Sequence, residues 1–194
     1  VARPKERPAR KPALPVEPVT APFAAKPADV HLRAGRAMLR SADYEGAILQ
    51  FRLSEDRTAA LVGMALAQAA EGRDEPAARS LRKAVRREPA LVRRTLDLVA
   101  EFRDRAEYEK VLAALEKRAA AVPGNADAKF VLAVVRYYGG DRRAQATFAW
   151  LAKVTPNDMV ADLFLEGALR RFPRDVKKTQ ESPSPAGRRE GAKE

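Results

Sequence analysis

The chain has no cysteine and one histidine, His31. Disulfides and thiolate metal sites are therefore excluded, as is any site built from several imidazoles. Aromatic residues make up only 6 % of the sequence, against 46 % hydrophobic residues overall. A core must then rest on Ala, Leu and Val, small or straight-chain residues that suit close helix packing. No apolar run approaches the roughly 20 residues that span a bilayer, and no signal peptide is visible. The chain opens on Val1 rather than Met. A mature or excised fragment is expected, located in the cytoplasm or, if an anchor precedes Val1, at the cell envelope.

What is present is length, charge and a change of texture along the chain. The 194 residues allow one ordinary domain plus tails. The formal net charge is +11, and its placement matters more than its size. Residues 1–27 hold six Lys/Arg and two Glu, and residues 173–194 hold six Lys/Arg and four Asp/Glu. The middle is left with 25 basic and 20 acidic residues, so more than half of the excess is in the tails. A folded basic face for nucleic acid is not indicated by this balance.

Residues 1–27 carry seven of the 14 prolines and no apolar period. Each proline removes a backbone donor and biases its predecessor away from helix. The expected state is an extended, disordered spacer. The polar residues 173–194 have too few apolar side chains to offset chain entropy and are expected to be disordered as well. Between them, apolar residues recur three and four apart: Leu81, Ala84 and Val85 in one stretch, Val111, Leu112, Leu115 and Ala119 in another. That spacing predicts an all-α domain of nine helices.

The chain also repeats itself. Pro89 and Pro123 are 34 residues apart, Pro156 follows 33 later, and Gly72, Ala106 and Gly140 are spaced by 34. Each proline closes a segment of similar layout, GRDEPAARSLRKAVRREP, RAEYEKVLAALEKRAAAVP and GDRRAQATFAWLAKVTP, and SADYEGAILQF is a shortened earlier copy. Gly72, Gly139 and Gly140 stand where a first helix must turn, so a residue that tolerates positive φ is useful. Asp43, Asp74 and Asp141 are placed to cap a second helix. Ala47, Ala77 and Ala144 are small where helices cross. Phe51, Leu81, Leu115 and Phe148 are large one turn on.

With these residues the sequence resembles the tetratricopeptide repeat family over residues 28–172. The resemblance implies a right-handed superhelical solenoid of about four helix-turn-helix hairpins, at 28–57, 58–91, 92–125 and 126–157, closed by a capping helix at 158–171. Departures are His31, Leu61, Thr95 and Lys129 in place of the family's tryptophan, and Arg118 where a small residue is usual. In such folds the first helices line a concave groove that binds a peptide or helix of another protein. The groove positions carried over are Leu32, Arg36, Val62, Leu66, Arg93, Leu96, Arg103, Phe130, Val134 and Tyr137, with Asp162 and Glu166 on the last helix. Arg36, Arg93 and Arg103 suit acidic side chains of a partner; Phe130 and Tyr137 suit aromatic anchoring. Trp150 is expected to pack under the closing helix.

No phosphate-binding loop, nucleophile elbow or metal motif occurs, and His31 has no recognisable nucleophile or orienting group. No enzyme activity, cofactor or metal is expected. The expected role is a non-enzymatic scaffold or adaptor, standing alone or within a larger complex. The alternative is accessory nucleic-acid association through the basic surface and tails, against which the short, acid-interrupted Arg pairs speak.

Overall fold

The computed structural model describes residues 27–173; the two expected tails lie almost wholly outside the described residues. The described chain is all-helical. Its α-helices are α1 (Pro27–Arg40), α2 (Tyr44–Arg52), α3 (Thr58–Ala70), α4 (Asp74–Arg87), α5 (Arg105–Ala121), α6 (Ala126–Tyr138), α7 (Arg143–Val154) and α8 (Met159–Arg171). That is eight where nine were expected.

Three of the helix pairs, α1/α2, α3/α4 and α6/α7, share one local design. The first helix of each ends with two crossed backbone bonds. Asp43 N–H reaches Met38 O, Arg73 reaches Gln68 O and Asp141 reaches Arg136 O, while Ala42, Gly72 and Gly140 N–H groups bond three residues back. This ending requires a left-handed residue. Gly72 (φ 78°) and Gly140 (φ 77°) supply it as expected, and Ala42 (φ 62°) occupies the same place without being glycine.

Capping follows the expectation in part. Asp43 accepts the Gly46 N–H at 2.9 Å, and Asp141 accepts that of Arg143 at 2.8 Å. Asp74 instead begins α4, and no side chain caps that helix. Asp104, Asn125 and Asp158 cap α5, α6 and α8.

Packing runs α1–α2–α3–α4 and then steps directly from α4 to α6, α7 and α8. α3 carries no charged residue and is buried on nearly every side, so it forms the centre of the first half. Phe51 fits between α1 and α3 because Gly35 and Gly63 face it: a Cβ on either would lie 2.7 or 2.5 Å from its ring. The few aromatics concentrate in the second half. Phe148 and Phe164 stack with centroids 5.1 Å apart, and Phe130 meets both edge-on. Ala47, Ala77, Ala144, Phe51, Leu81, Leu115 and Phe148 are all buried.

The third sequence copy does not form a helical hairpin. Its first half contains only two short 3₁₀ turns, Pro89–Arg93 and Val99–Glu101. Val92, Thr95, Asp97 and Val99 are weak helix formers, and Asp97 takes the Ala100 N–H at 3.2 Å, restarting the chain as a cap does. The copy's second half is α5, which lies across the turns of the other pairs. Tyr44, at the start of α2, donates its hydroxyl to Glu107. Arg118 holds Asp74 at the α3/α4 turn. Glu116 accepts Arg136 at 2.7 Å beside the α6/α7 turn.

Candidate functional site

Residues 88–104 lack an α-helix and bury Leu91, Val92, Leu98 and Phe102, so the backbone groups freed beside those side chains need partners. Adjacent residues of α6 supply two: Tyr137 donates its hydroxyl to Val92 O at 2.7 Å, and Tyr138 donates to Leu91 O at 3.0 Å. From α1, Arg40 donates to Ala100 O through Nε at 3.2 Å and Nη2 at 3.0 Å. Leu91, Val92, Leu98 and Phe102 are buried beneath the segment, while Arg93, Arg94, Thr95 and Asp97 face solvent. Burial pushes the Tyr138 phenol well above its usual range, with the neighbouring Tyr137 adding to the effect.

A cleft opens on each side of this segment. One, about 680 Å³, lies between residues 89–95 and α8. Its floor is Val92, Tyr137 and Leu163, and its rim carries Arg93, Glu166, Arg170 and Arg171. Gly167 lets α8 approach closely here, since a Cβ there would stand 2.8 Å from Val92 Cγ1 and 2.9 Å from the Tyr137 hydroxyl. The other cleft, about 450 Å³, lies between residues 88–101 and the helices α1 and α3.

Charge distinguishes the two. In the smaller cleft Arg36 stands 3.1 Å from Glu101, Arg94 pairs with Glu88 at 2.5 Å, and Arg57 lies 3.5 Å from Asp29. In the larger, Glu166 is held by Arg170. Arg171 lies over the Tyr137 ring at 5.1 Å. Arg93 and Arg171 have no carboxylate partner among the described residues.

The sequence-predicted positions separate accordingly. Arg36, Val62 and Leu96 line the smaller cleft together. Arg93 and Tyr137 line the larger, with Glu166. Arg103 lies outside both and pairs with Asp104 at 3.0 Å. Leu66 and Val134 are buried in the seam where α3, α4 and α6 meet, against Leu81 and Val131, and offer nothing to a partner. Phe130 is 0 % exposed. It lies beneath the Arg82 guanidinium, 4.4 Å from its ring centre, so the expected aromatic anchor is a core residue. Tyr137 is 3 % exposed with its hydroxyl already engaged, and it serves as floor and tie rather than anchor. These corrections share one cause: α4 packs on α6 directly, closing over the face that an intervening helix would have spaced open.

Residues unmarked by the sequence pattern do much of the positioning. Arg82 bonds Asp127 at 2.7 Å and Asp158 at 2.8 Å, joining α4 to the starts of α6 and α8. Burial opposes its charge, but the two carboxylates outweigh that and raise its pKa. Trp150 does not pack under α8. It is half-buried beside Ala119, Ala120 and Leu132, with the Lys129 nitrogen 3.9 Å over its ring. His31 shares a hydrogen bond with Gln50 at 2.8 Å.

Among the described residues no group of three or more acidic or histidine side chains is placed to hold a metal ion, and no helix is long and apolar enough to cross a membrane. The chain matches no family model, and no curated protein matches it in sequence.

Proposed function

We propose that this chain is a non-enzymatic protein-interaction scaffold of the tetratricopeptide type. Its helix pairs wind as a right-handed superhelical solenoid in which the third copy has been remodelled. The partner is a peptide or helix of another protein, held beside residues 88–104. The observation that carries this reading is the pair of open clefts flanking that segment, each with an apolar floor and a charged rim. Apolar grooves of this kind take the anchor side chains of a peptide, and rim charges set register and specificity.

The charge arrangement favours protein over nucleic acid. Arg73, Arg79, Arg82, Arg105, Arg118 and Arg136 each face a carboxylate within the chain. Among the described residues these pairings interrupt the cationic surface that a phosphate backbone would track.

The test is affinity capture by the full chain from lysate of its source, with captured proteins identified by mass spectrometry. Val62→Glu and Arg93→Glu serve as comparators. The expected result is a protein recovered by the wild type at physiological salt and lost with at least one comparator. Recovery equal across all three, or of nucleic acid alone, refutes the reading.

A further inference from the structure

The two clefts are not equivalent, and the difference points to the chemistry of what binds. In the smaller cleft the arginines are already neutralised by Glu101, Glu88 and Asp29. A charged partner there would have to displace an internal pair. In the larger cleft Glu166 is neutralised by Arg170, leaving Arg93 on one wall and Arg171 on the other. Both guanidiniums border an aliphatic floor made by Val92 and Leu163.

We infer that the larger cleft receives an acidic segment of a partner protein, an apolar side chain seated against Leu163 and carboxylates paired to Arg93 and Arg171. This rests on the scaffold reading above and narrows it to one cleft and one partner chemistry. Arginine suits the role because its planar fork binds carboxylate through two parallel bonds. Arg171 is held over the Tyr137 ring, so part of the entropy of fixing it is already spent before binding. A volume of about 680 Å³ admits a few side chains rather than a whole domain surface. A polyphosphate strand fits less well. It would gain nothing from the aliphatic floor.

The test is fluorescence polarisation with the full chain and a labelled dodecapeptide carrying four carboxylates around two leucines. Comparison probes are the same peptide with Gln for the acids, the same peptide with Ser for the leucines, and a labelled oligothymidylate. Saturable binding is expected for the parent peptide only, weakening as salt is raised. Arg93→Glu and Arg171→Glu are each expected to weaken it about tenfold or more. Arg171→Lys should keep part of the affinity, and Lys117→Glu, on exposed α5 surface, should leave it unchanged. Circular dichroism establishes that each variant is folded, and Arg93, being exposed, keeps the test independent of the Arg171 stack.

Absence of saturable peptide binding overturns the inference, as does tighter binding of oligothymidylate. Peptide binding untouched by Arg93→Glu and Arg171→Glu but weakened by Val62→Glu also overturns it, while leaving the scaffold reading standing. Failure of the scaffold reading itself appears separately, as a capture experiment that recovers no protein.

Discussion

Arg118 of α5 holds Asp74 of α4 with its guanidinium edge: Nε stands 3.1 Å from Oδ1 and 3.0 Å from Oδ2, and Nη2 stands 2.9 Å from Oδ1. The same Nη2 donates to Ala69 O at 2.7 Å, a carbonyl in the last turn of α3 that also accepts the Gly72 N–H. One side chain thus closes a helix end and neutralises a buried carboxylate. The large residue at this position has a clear task.

Removing that side chain strands Asp74, whose side chain is only 10 % exposed. Arg118→Ala is expected to cost about 2 kcal/mol, below the roughly 3–5 kcal/mol of a fully buried pair because Arg118 itself is partly solvated. The midpoint of urea unfolding measures it. A double-mutant cycle with Asp74→Asn should give a coupling of about 1 kcal/mol or more; additive effects would refute the pairing.

The tyrosine hydroxyls that hold residues 88–104 give a second prediction. Tyr137→Phe leaves the buried Val92 O without its donor and should cost about 1–2 kcal/mol; Tyr138→Phe should cost less, because Leu91 O still accepts the Arg94 N–H. The loss should be local. Amide exchange is expected to quicken at Arg94, Glu101 and Phe102, whose N–H groups bond within the segment, while α3 amides keep their protection. Uniform acceleration would mean that the segment is not separately tethered.

Titration sets limits on both sides of neutral pH. Burial, followed by the bond to Glu107, raises the Tyr44 pKa, and burial raises those of Tyr108 and Tyr138. The folded state holds these protons more tightly than the unfolded one. The stability they contribute is therefore complete below the ordinary phenol pKa of about 10 and declines as pH rises past it. On the acid side the Glu107 N–H, then Arg103, lowers the Asp104 pKa; at Asp141, bonds from Arg143 outweigh burial and lower it too. That contribution is present above the usual carboxylate pKa of about 4 and is lost as pH falls below it. Urea midpoints should form a plateau falling at both ends, and Tyr138→Phe should shallow the alkaline fall.

Three residues make the same left-handed turn, and only one of them is alanine. Ala42→Gly is expected to stabilise the protein by about 1 kcal/mol by removing a strained φ. Gly72→Ala should cost a similar amount through backbone strain alone, since its Cβ would meet nothing nearer than Arg118 Nη1 at 4.0 Å. Gly63→Ala adds a clash with Phe51 in a packed core and should cost about 2–3 kcal/mol. Thermal unfolding of the three variants gives the order directly.

What the sequence made legible was local. Asp43, Gly72 and Gly140 carry their conformational reasons in their side chains, and each takes the place those reasons imply. The apolar periodicity also marked which residues are buried, from Phe51 to Phe148. It could not say against what. Periodicity in residues 91–102 is met equally by a helix and by an irregular segment that buries Leu91, Val92, Leu98 and Phe102. The choice rests on weak propensities and on hydroxyls from Tyr137 and Tyr138, distant in sequence. Once that segment is not a helix, α6 meets α4, and Phe130 and Val134 pass from expected groove to core. Arg93 kept its exposure because it points away from that seam.

The crosswise placement of α5 changes how the whole molecule can come apart. In a linear array each pair touches only its neighbours, so ends fray and pairs can be added or removed with additive effect. Here α5 ties the starts of α2 and α4 to the α6/α7 turn through Glu107, Arg118 and Glu116. Loosening any one pair strains contacts shared with the others. Unfolding should proceed in a single cooperative step, and excising one pair should unfold the chain rather than shorten it.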